Sequence, residues 1–466
     1  MVFSSSLFLF AFLPLTFILY NCVRGIKPKN YILTFASLIF YSFGRLDWLL
    51  ILIASVICNY TAGLFMTKSQ SVRKTALTVA ICINLGLLCT FKYMNFFTET
   101  LNSLPFVNIT PTNIALPIGI SFFTFQGMSY VIDVYRSPTM RAKNFEKVIL
   151  YIIFFPQLVA GPIVKYSDIS DQIDFRKHSN ELTASGIKRF VAGLVKKLFF
   201  ANTLGFVADS VYSASAFGLD FKLAWLGAVC YSLQIYYDFS AYSDMAIGLG
   251  KMFGFHINEN FDHPYASGTV KEFWRRWHIS LSSWFREYLY IPLGGNRRGK
   301  VRARINRIIV FFFTGMWHGA NWTFIIWGLW HGFFLMAEDA VYRKIKIPSI
   351  IKRILTLLVV IIGFVIFRAG DIGQAFEMIG AMFTGFSSSV QNTALLRNLL
   401  TPRTVFMIIA GLIFSTPVVR TLSGWMNTKN ISIPHTVKLI AVMLIFVLCV
   451  IRLAASSFNP FIYTQF

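Results

Sequence analysis

The chain has 466 residues, 56% of them hydrophobic and only 14% charged, a balance that fits no soluble globular class. Lys and Arg number 43 against 20 Asp and Glu, a formal net charge of +23. In a soluble protein that would suggest nucleic acid, but here the basic residues cluster between hydrophobic segments, where positive-inside topology accounts for them and excludes nucleic acid as a partner.

The composition predicts an all-α polytopic membrane protein surrounded by lipid, because helices satisfy their own backbone polar groups. Segments 7–23, 48–66, 76–91, 354–367, 405–419 and 437–453 are nearly uncharged, and most approach the ~20 residues that a spanning helix needs. About eleven crossings or partial crossings are expected in all. Cys22, Cys58, Cys82, Cys89, Cys230 and Cys449 lie singly in apolar sequence, with no CxxC, and read as small buried hydrophobes. The first apolar run has no Lys or Arg before it and no small-residue cleavage site, so it reads as a retained helix rather than a signal peptide. With no long polar run, the whole of 1–466 reads as one integral-membrane domain, with N-terminal helices over 7–95 and C-terminal helices over 351–455.

In chain order, Arg24, Lys27 and Lys29 follow the first apolar segment, placing that loop in the cytoplasm and the N-terminus outside. The loops then alternate: 44–48 is a short outer turn, Lys68, Arg73 and Lys74 mark an inner loop, the neutral 98–113 is outer, and Arg136, Arg141, Lys143 and Lys147 are inner. Residues 148–164, VILYIIFFPQLVAGPIV, are interrupted by Pro156, Gly161 and Pro162. Proline removes donors that lipid cannot replace, so this segment should be broken or re-entrant and shielded by protein. In the polar tract 167–200, the second half (IKRFVAGLVKKLFF) spaces basic residues along an apolar helix and reads as an interfacial helix.

Residues 223–250 carry Gln234, Asp238, Ser240, Ser243 and Asp244 in an apolar helix. A carboxylate at mid-membrane costs at least ~2.5 kcal/mol, so each Asp should meet a wet cavity or a partner. Six residues apart on a helix, the two point about 120° away from each other, which speaks against a paired-carboxylate site. A bundle-holding role and a catalytic role both stand open for them.

Residues 251–307 hold eleven Lys and Arg against four acidic residues and should be cytoplasmic, as should 343–353 with Arg343, Lys344, Lys346, Lys352 and Arg353. The apolar stretch 308–337 between them must return to the side it left. Its thirty residues are too few for two full crossings, which predicts a re-entrant hairpin turning at 315–322, with His318 at membrane depth in a protein-lined cavity. His331 follows thirteen residues later; on an unbroken helix it would lie roughly 20 Å away on another face, and so would not share a substrate atom with His318. In EFWRRWHISLSSWFREYLY, Phe273, Trp277, Leu281, Trp284 and Leu289 form one face, while Arg275, Arg276, Arg286 and Glu287 form the other. That predicts an interfacial helix with His278 turned toward the cavity of His318. Beyond His331, an outgoing helix, an outer loop over 370–401 and two further helices are expected.

Desolvation keeps an imidazole neutral, which suits a general base that removes a proton from a hydroxyl. No HExxH, Cys/His cluster or carboxylate at ligand spacing accompanies the histidines, so no metal is expected, and GxSxG, P-loop and GxGxxG signatures are absent. The residues alone define a membrane enzyme or transporter with buried histidines. A transporter would often carry paired broken half-repeats, and the break near Pro156 has no counterpart in the other half. A scaffold for a polymer-modifying complex would leave the histidines unexplained.

FWRRWHISLSSWFREYLYIPLGGNRRG, then MWHGANWTFIIWGLWHG about forty residues after His278, together with FFPQLVAGPIV and YYDFSAYSDMAIGLGKMFGF, resemble the membrane-bound O-acyltransferase (MBOAT) family over a core of about 115–338. LYIPLGGNRRG is similar to the alginate and peptidoglycan O-acetyltransferase branch; the branch that transfers D-alanine to teichoic acid usually departs there. The resemblance implies a disc-like helical fold around a central tunnel, a catalytic His318 and a second functional histidine at His278. It implies no bound cofactor, and an acyl thioester such as acetyl-coenzyme A as a donor entering from the cytoplasm of a bacterial inner membrane. The acceptor would be a hydroxyl of an envelope or secreted polysaccharide, reached directly or through a periplasmic or extracellular acetyltransferase partner. On this reading Asn321 would donate to the developing oxyanion, and Asp238 and Trp317 would line the tunnel. Arg275, Arg276, Arg297 and Arg298 would hold coenzyme A phosphates, although positive-inside charge alone would also put them there. D-alanyl transfer and polysaccharide or lipid transport remain the alternatives, and an acyl-histidine intermediate stays open.

Overall fold

The computed structural model describes residues 1–466 apart from 113, 343–344, 346, 430–433, 456–459 and 463–466, so part of the basic stretch 343–353 lies outside the described residues. Among the described residues there is no strand. The helices are α1 (Phe8–Cys22), α2 (Ile26–Ser42), α3 (Leu46–Phe65), α4 (Gln70–Asn102), α5 (Ile120–Arg136), α6 (Phe145–Ile153), α7 (Tyr166–Asp174), α8 (Asn180–Ala214) and α9 (Phe221–Met252). They continue with α10 (Val270–Arg276), α11 (Ile279–Phe285), α12 (Gly299–His318), α13 (Trp322–Val341), α14 (Ser349–Arg368), α15 (Ile372–Thr384), α16 (Val390–Leu399), α17 (Pro402–Phe414), α18 (Val418–Thr428) and α19 (Thr436–Ala454). Six of these, α3, α4, α8, α13, α14 and α19, are long and apolar enough to cross a membrane; α16 and α17, bent by 70°, make a seventh if taken as one broken span. The expected eleven therefore include shorter and broken segments such as α1. The expected outer loop over 370–401 is mostly helical, as α15 and α16.

Two compact units divide the chain, one built mainly from Met1–Phe190 and Tyr242–Glu259, the other from Val191–Ala241 and Asn260–Ile462. In the first, polar side chains join apolar helices. Asn59 of α3 and Asn84 of α4 are buried and donate to each other's carbonyl oxygens at 3.2 and 2.9 Å, a reciprocal amide pair of the kind that holds membrane helices together. The broken segment is shielded as expected: all of 148–164 is buried except half-buried Ile149. α6 ends at Ile153, Pro156 sits in a single turn, and Gly161 takes a φ of 98°. The backbone groups freed by the break find side-chain partners. Phe155 N–H donates to Ser37 Oγ at 3.0 Å, Gln157 Nε2 to the Tyr151 carbonyl at 2.7 Å, and Tyr151 Oη to the Val164 carbonyl at 2.9 Å. Asp244 meets the partner its position demanded, Arg189 Nε at 2.8 Å.

The tract read as an interfacial helix is instead part of α8, 35 residues long. Its Lys197 lies in a π-helical turn, Lys196–Ala201, in the second unit. It is buried because Asp238 of α9 is 2.6 Å away, both side chains being 2% exposed. The pair also seats the chain near its C-terminal end: Lys197 Nζ donates to the Pro460 carbonyl at 2.9 Å, and Ile462 N–H donates to Asp238 Oδ2 at 2.7 Å. Cys22, Cys82 and Cys89 correct another expectation: they are exposed, on helix faces whose apolar neighbours suit lipid rather than a core.

The hairpin around His318 forms, with longer arms than expected. α12 begins at Gly299, inside the stretch read as a basic loop, so each arm has 20 residues, roughly 30 Å, and the second qualifies as a span. Charged residues at the start of α12 do not end a helix; they only end an apolar count. Gly315 and Gly328 let the arms touch: a Cβ at Gly328 would overlap the Phe311 carbonyl oxygen, and one at Gly315 the Phe324 carbonyl oxygen.

Candidate active site

His318 is the last residue of α12, in the turn-end where chain direction reverses. Its Nδ1 lies 2.8 Å from the Thr314 carbonyl oxygen. A carbonyl only accepts, so Nδ1 carries the proton and Nε2 keeps a lone pair. The ring is buried among aromatic rings from three helices: Trp317 at 5.0 Å, Trp327 of α13 at 4.8 Å and Phe367 of α14 at 5.4 Å between centroids.

His278 reaches the same place by a break in the chain. The helix expected over 270–290 is interrupted between α10 and α11, where His278 adopts left-handed backbone angles, φ 43° and ψ 55°. Such a conformation costs a residue with a Cβ on the order of 1–3 kcal/mol and persists only where the surroundings impose it. Asn260 imposes it. The Asn260 carbonyl accepts from Ile279 N–H at 3.0 Å, and its Oδ1 accepts from Ser280 N–H at 3.1 Å and from Ser280 Oγ at 2.9 Å. Because a backbone N–H can only donate, the Ser280 contact fixes Oδ1 as the oxygen end of the amide. His278 Nδ1, 3.2 Å from that oxygen, is therefore the protonated nitrogen, and Nε2 is again the lone-pair nitrogen. The apolar face of the segment is buried, with Phe273, Trp277 and Leu281 each 1% exposed, while Arg275 and Arg286 on the other face are exposed. Burial, with the neighbouring His318 imidazole, holds His278 well below the usual histidine range, so it is neutral at ordinary pH.

The two imidazoles are 6.3 Å apart between centroids and nearly perpendicular, and Trp317 touches both, at 5.0 and 5.7 Å. Phe239 of α9 closes on His278 at 4.6 Å. The structure thus brings together His318, His278 and Trp317 from the expected set and adds Asn260, Trp327 and Phe367. His331 is not on an unbroken helix with His318, so the roughly 20 Å expectation fails: the chain turns at 319–321, and both rings pack on Trp327, His331 at 5.3 Å. His331 stacks on Phe273 with the planes 10° apart. Among the described residues neither of its nitrogens has a hydrogen-bond partner.

The other expected residues are placed elsewhere. Asn321 caps α13, its Oδ1 accepting from Thr323 N–H at 3.1 Å, while its Nδ2 donates to the Gly370 carbonyl at 2.8 Å. Its amide is committed to the fold rather than aimed at an oxyanion. Asp238 is committed to Lys197 and Ile462. Arg276 pairs with Glu272 at 2.8 Å and donates to the Asp262 carbonyl. Arg275, Arg297 and Arg298 are exposed, and the four arginines are not brought together as one phosphate grip. Among the described residues no three His, Cys, Asp or Glu side chains converge as metal ligands.

Two imidazoles, each with its Nδ1–H fixed by an oxygen acceptor and its Nε2 turned into a chamber of aromatic rings, suit proton removal from a hydroxyl by the neutral form. The description of the membrane-bound O-acyltransferase family matches residues 50–369; the chain belongs to that family and is a multi-pass membrane O-acyltransferase. Among known relatives, the "Probable alginate O-acetylase AlgI" of Azotobacter vinelandii is 40% identical over 507 aligned positions, covering 100% of both chains. A peptidoglycan O-acetyltransferase of Helicobacter pylori is 36% identical over 423, covering 82% of this chain and 80% of its own. A teichoic acid D-alanyltransferase of Streptococcus thermophilus is 30% identical over 242, covering 49% and 58%.

Proposed function

We propose that the protein transfers an acetyl group from an acyl thioester on the cytoplasmic side of a bacterial inner membrane to a hydroxyl bound for an envelope or secreted polysaccharide, alginate-like or peptidoglycan. The acceptor is the polymer itself or a partner acetyltransferase on the outer side. The observation that carries the chemistry is the Thr314 bond to His318 Nδ1, which leaves Nε2 as the base. His318 Nε2 takes the hydroxyl proton as the oxygen attacks the thioester carbonyl carbon; the C–S bond breaks, and the departing thiolate takes that proton from the imidazolium. His278, 6.3 Å from His318 between ring centroids, assists by orienting the acceptor. The acetyl reading over D-alanyl transfer is supported by the extent of likeness, full length for the alginate O-acetylase against about half the chain for the D-alanyltransferase.

The test is replacement of His318 by Ala, with acetyl esters measured on each envelope polymer and on secreted polysaccharide. Loss of esters from a protein that still inserts at normal abundance is expected. Near-normal esters would sink the assignment, and a loss of D-alanyl rather than acetyl esters would move the activity to the second acyl group.

A further inference from the structure

None of the eleven residues of α18 is buried, yet VVRTLSGWMNT is not the sequence of a helix solvated all round. At about 100° per residue, Val418, Val419, Leu422, Trp425 and Met426 fall on one side, within an arc of about 120°, and Arg420, Thr421, Ser423, Asn427 and Thr428 take the rest. Val419, Leu422 and Trp425 are 58%, 56% and 53% exposed. A contiguous apolar stripe of this kind marks a surface that something covers.

The neighbours of α18 say what covers it. Residues 415–417 alone join it to α17, the second arm of the broken span, a reach of at most ~11 Å, so α18 is held at the level where a span ends. On its other side the chain enters α19, a span of which only 6% is buried against the rest of the chain. Arg420, on the side of α18 away from the stripe, pairs with Asp262 at 3.0 Å. That contact turns the polar face toward the loop before α10 and the stripe away from it. The charge around the helix has one sign: Arg420, Lys429 and Lys438 are basic, and no Asp or Glu follows Glu377 in the chain. We infer that α18 is a membrane-surface helix, its apolar stripe set among lipid acyl chains and Lys429 and Lys438 at the headgroups of anionic lipid. Short basic amphipathic helices bind bilayers by this combination of apolar area and charge, and the indole of Trp425 suits the headgroup level. Asp262 stands two residues from Asn260, so the lipid surface is brought beside the loop that fixes His278.

The test reads the surroundings of each face. In full-length protein with Cys22, Cys58, Cys82 and Cys89 replaced by Ala, a nitroxide is attached at Leu422→Cys or at Gly424→Cys, where an added side chain meets open space. In phosphatidylglycerol nanodiscs, oxygen, which concentrates in lipid, should relax the label at 422 more than a water-soluble nickel chelate does, and the order should invert at 424. Water-like behaviour at both positions would overturn the inference. A label at 422 shielded from both reagents would show a second copy or another protein on the stripe, and would overturn lipid as its occupant. Replacing phosphatidylglycerol by phosphatidylcholine should make the label at 422 shallower in the parent and leave it unmoved in Lys429→Gln/Lys438→Gln; an equal response in the two proteins, or none in the parent, would overturn the contact with anionic headgroups. Both lysines are exposed, so the double variant should insert at the parent's abundance.

Discussion

His318 and His278 arrive at the same tautomer by different routes, one through a carbonyl four residues back on its own helix, the other through an amide eighteen residues upstream. The second route is the more exposed to mutation. With Asn260→Asp, a carboxylate would face His278 Nδ1 and favour the imidazolium. On the proposed mechanism, in which the histidines act neutral, the acid limb of the rate–pH profile should move to higher pH, with the alkaline plateau nearly intact; a profile superimposable on the parent's would remove Asn260 from the reaction. At this scale the histidines were legible because titratable rings are rare in apolar sequence. Asn260 was not, because its contact exists only once 260 folds back against 278–280, and no local spacing announces that.

The hairpin of α12 and α13 depends on the absence of side chains where the arms meet. Gly328→Leu would push against the Phe311 carbonyl, backbone rather than a yielding side-chain tip. Overpacking costs roughly 1–3 kcal/mol where side chains can move, and the cost here should lie at or above the top of that range. A lowered unfolding temperature in detergent, together with loss of acyl transfer as His318 shifts from Trp327 and Phe367, is expected; an unchanged melt would mean that the arms are not held at this contact. Element boundaries were the least legible part of the sequence. Counting apolar residues placed the hairpin but shortened its first arm, and the amphipathic pattern over 273–289 gave the right faces without the break, because Asn260 makes the break from outside the segment.

For the whole molecule, charge placement drives the reading of which side meets the donor. Arg297, exposed in the turn before α12, reports on it directly. In a background lacking the exposed Cys22, Cys82 and Cys89, Arg297→Cys should resist a membrane-impermeant thiol reagent in intact cells and label after permeabilisation; ready labelling in intact cells would place the donor side outside. The all-helical, many-crossing character was legible from composition, since lipid leaves the backbone few other solutions. The number of full crossings was less so: residues such as Lys197 and Asp238, which cancel each other inside the protein, look in sequence like interruptions.

That mutual cancellation also has a place in time. Ile462, which donates to Asp238, follows it by 224 residues, and Pro460 follows Lys197 by 263. At ~5–20 residues per second, a ribosome takes on the order of ten seconds or more to close that gap. Until then the nascent chain sits in the bilayer with this ion pair lacking two of its hydrogen bonds. A message broken ahead of Pro460 would leave the seat open for good, so these late contacts distinguish a chain that reaches Ile462 from one that stops before it, a physical difference on which a membrane protease that samples loosened helices can act.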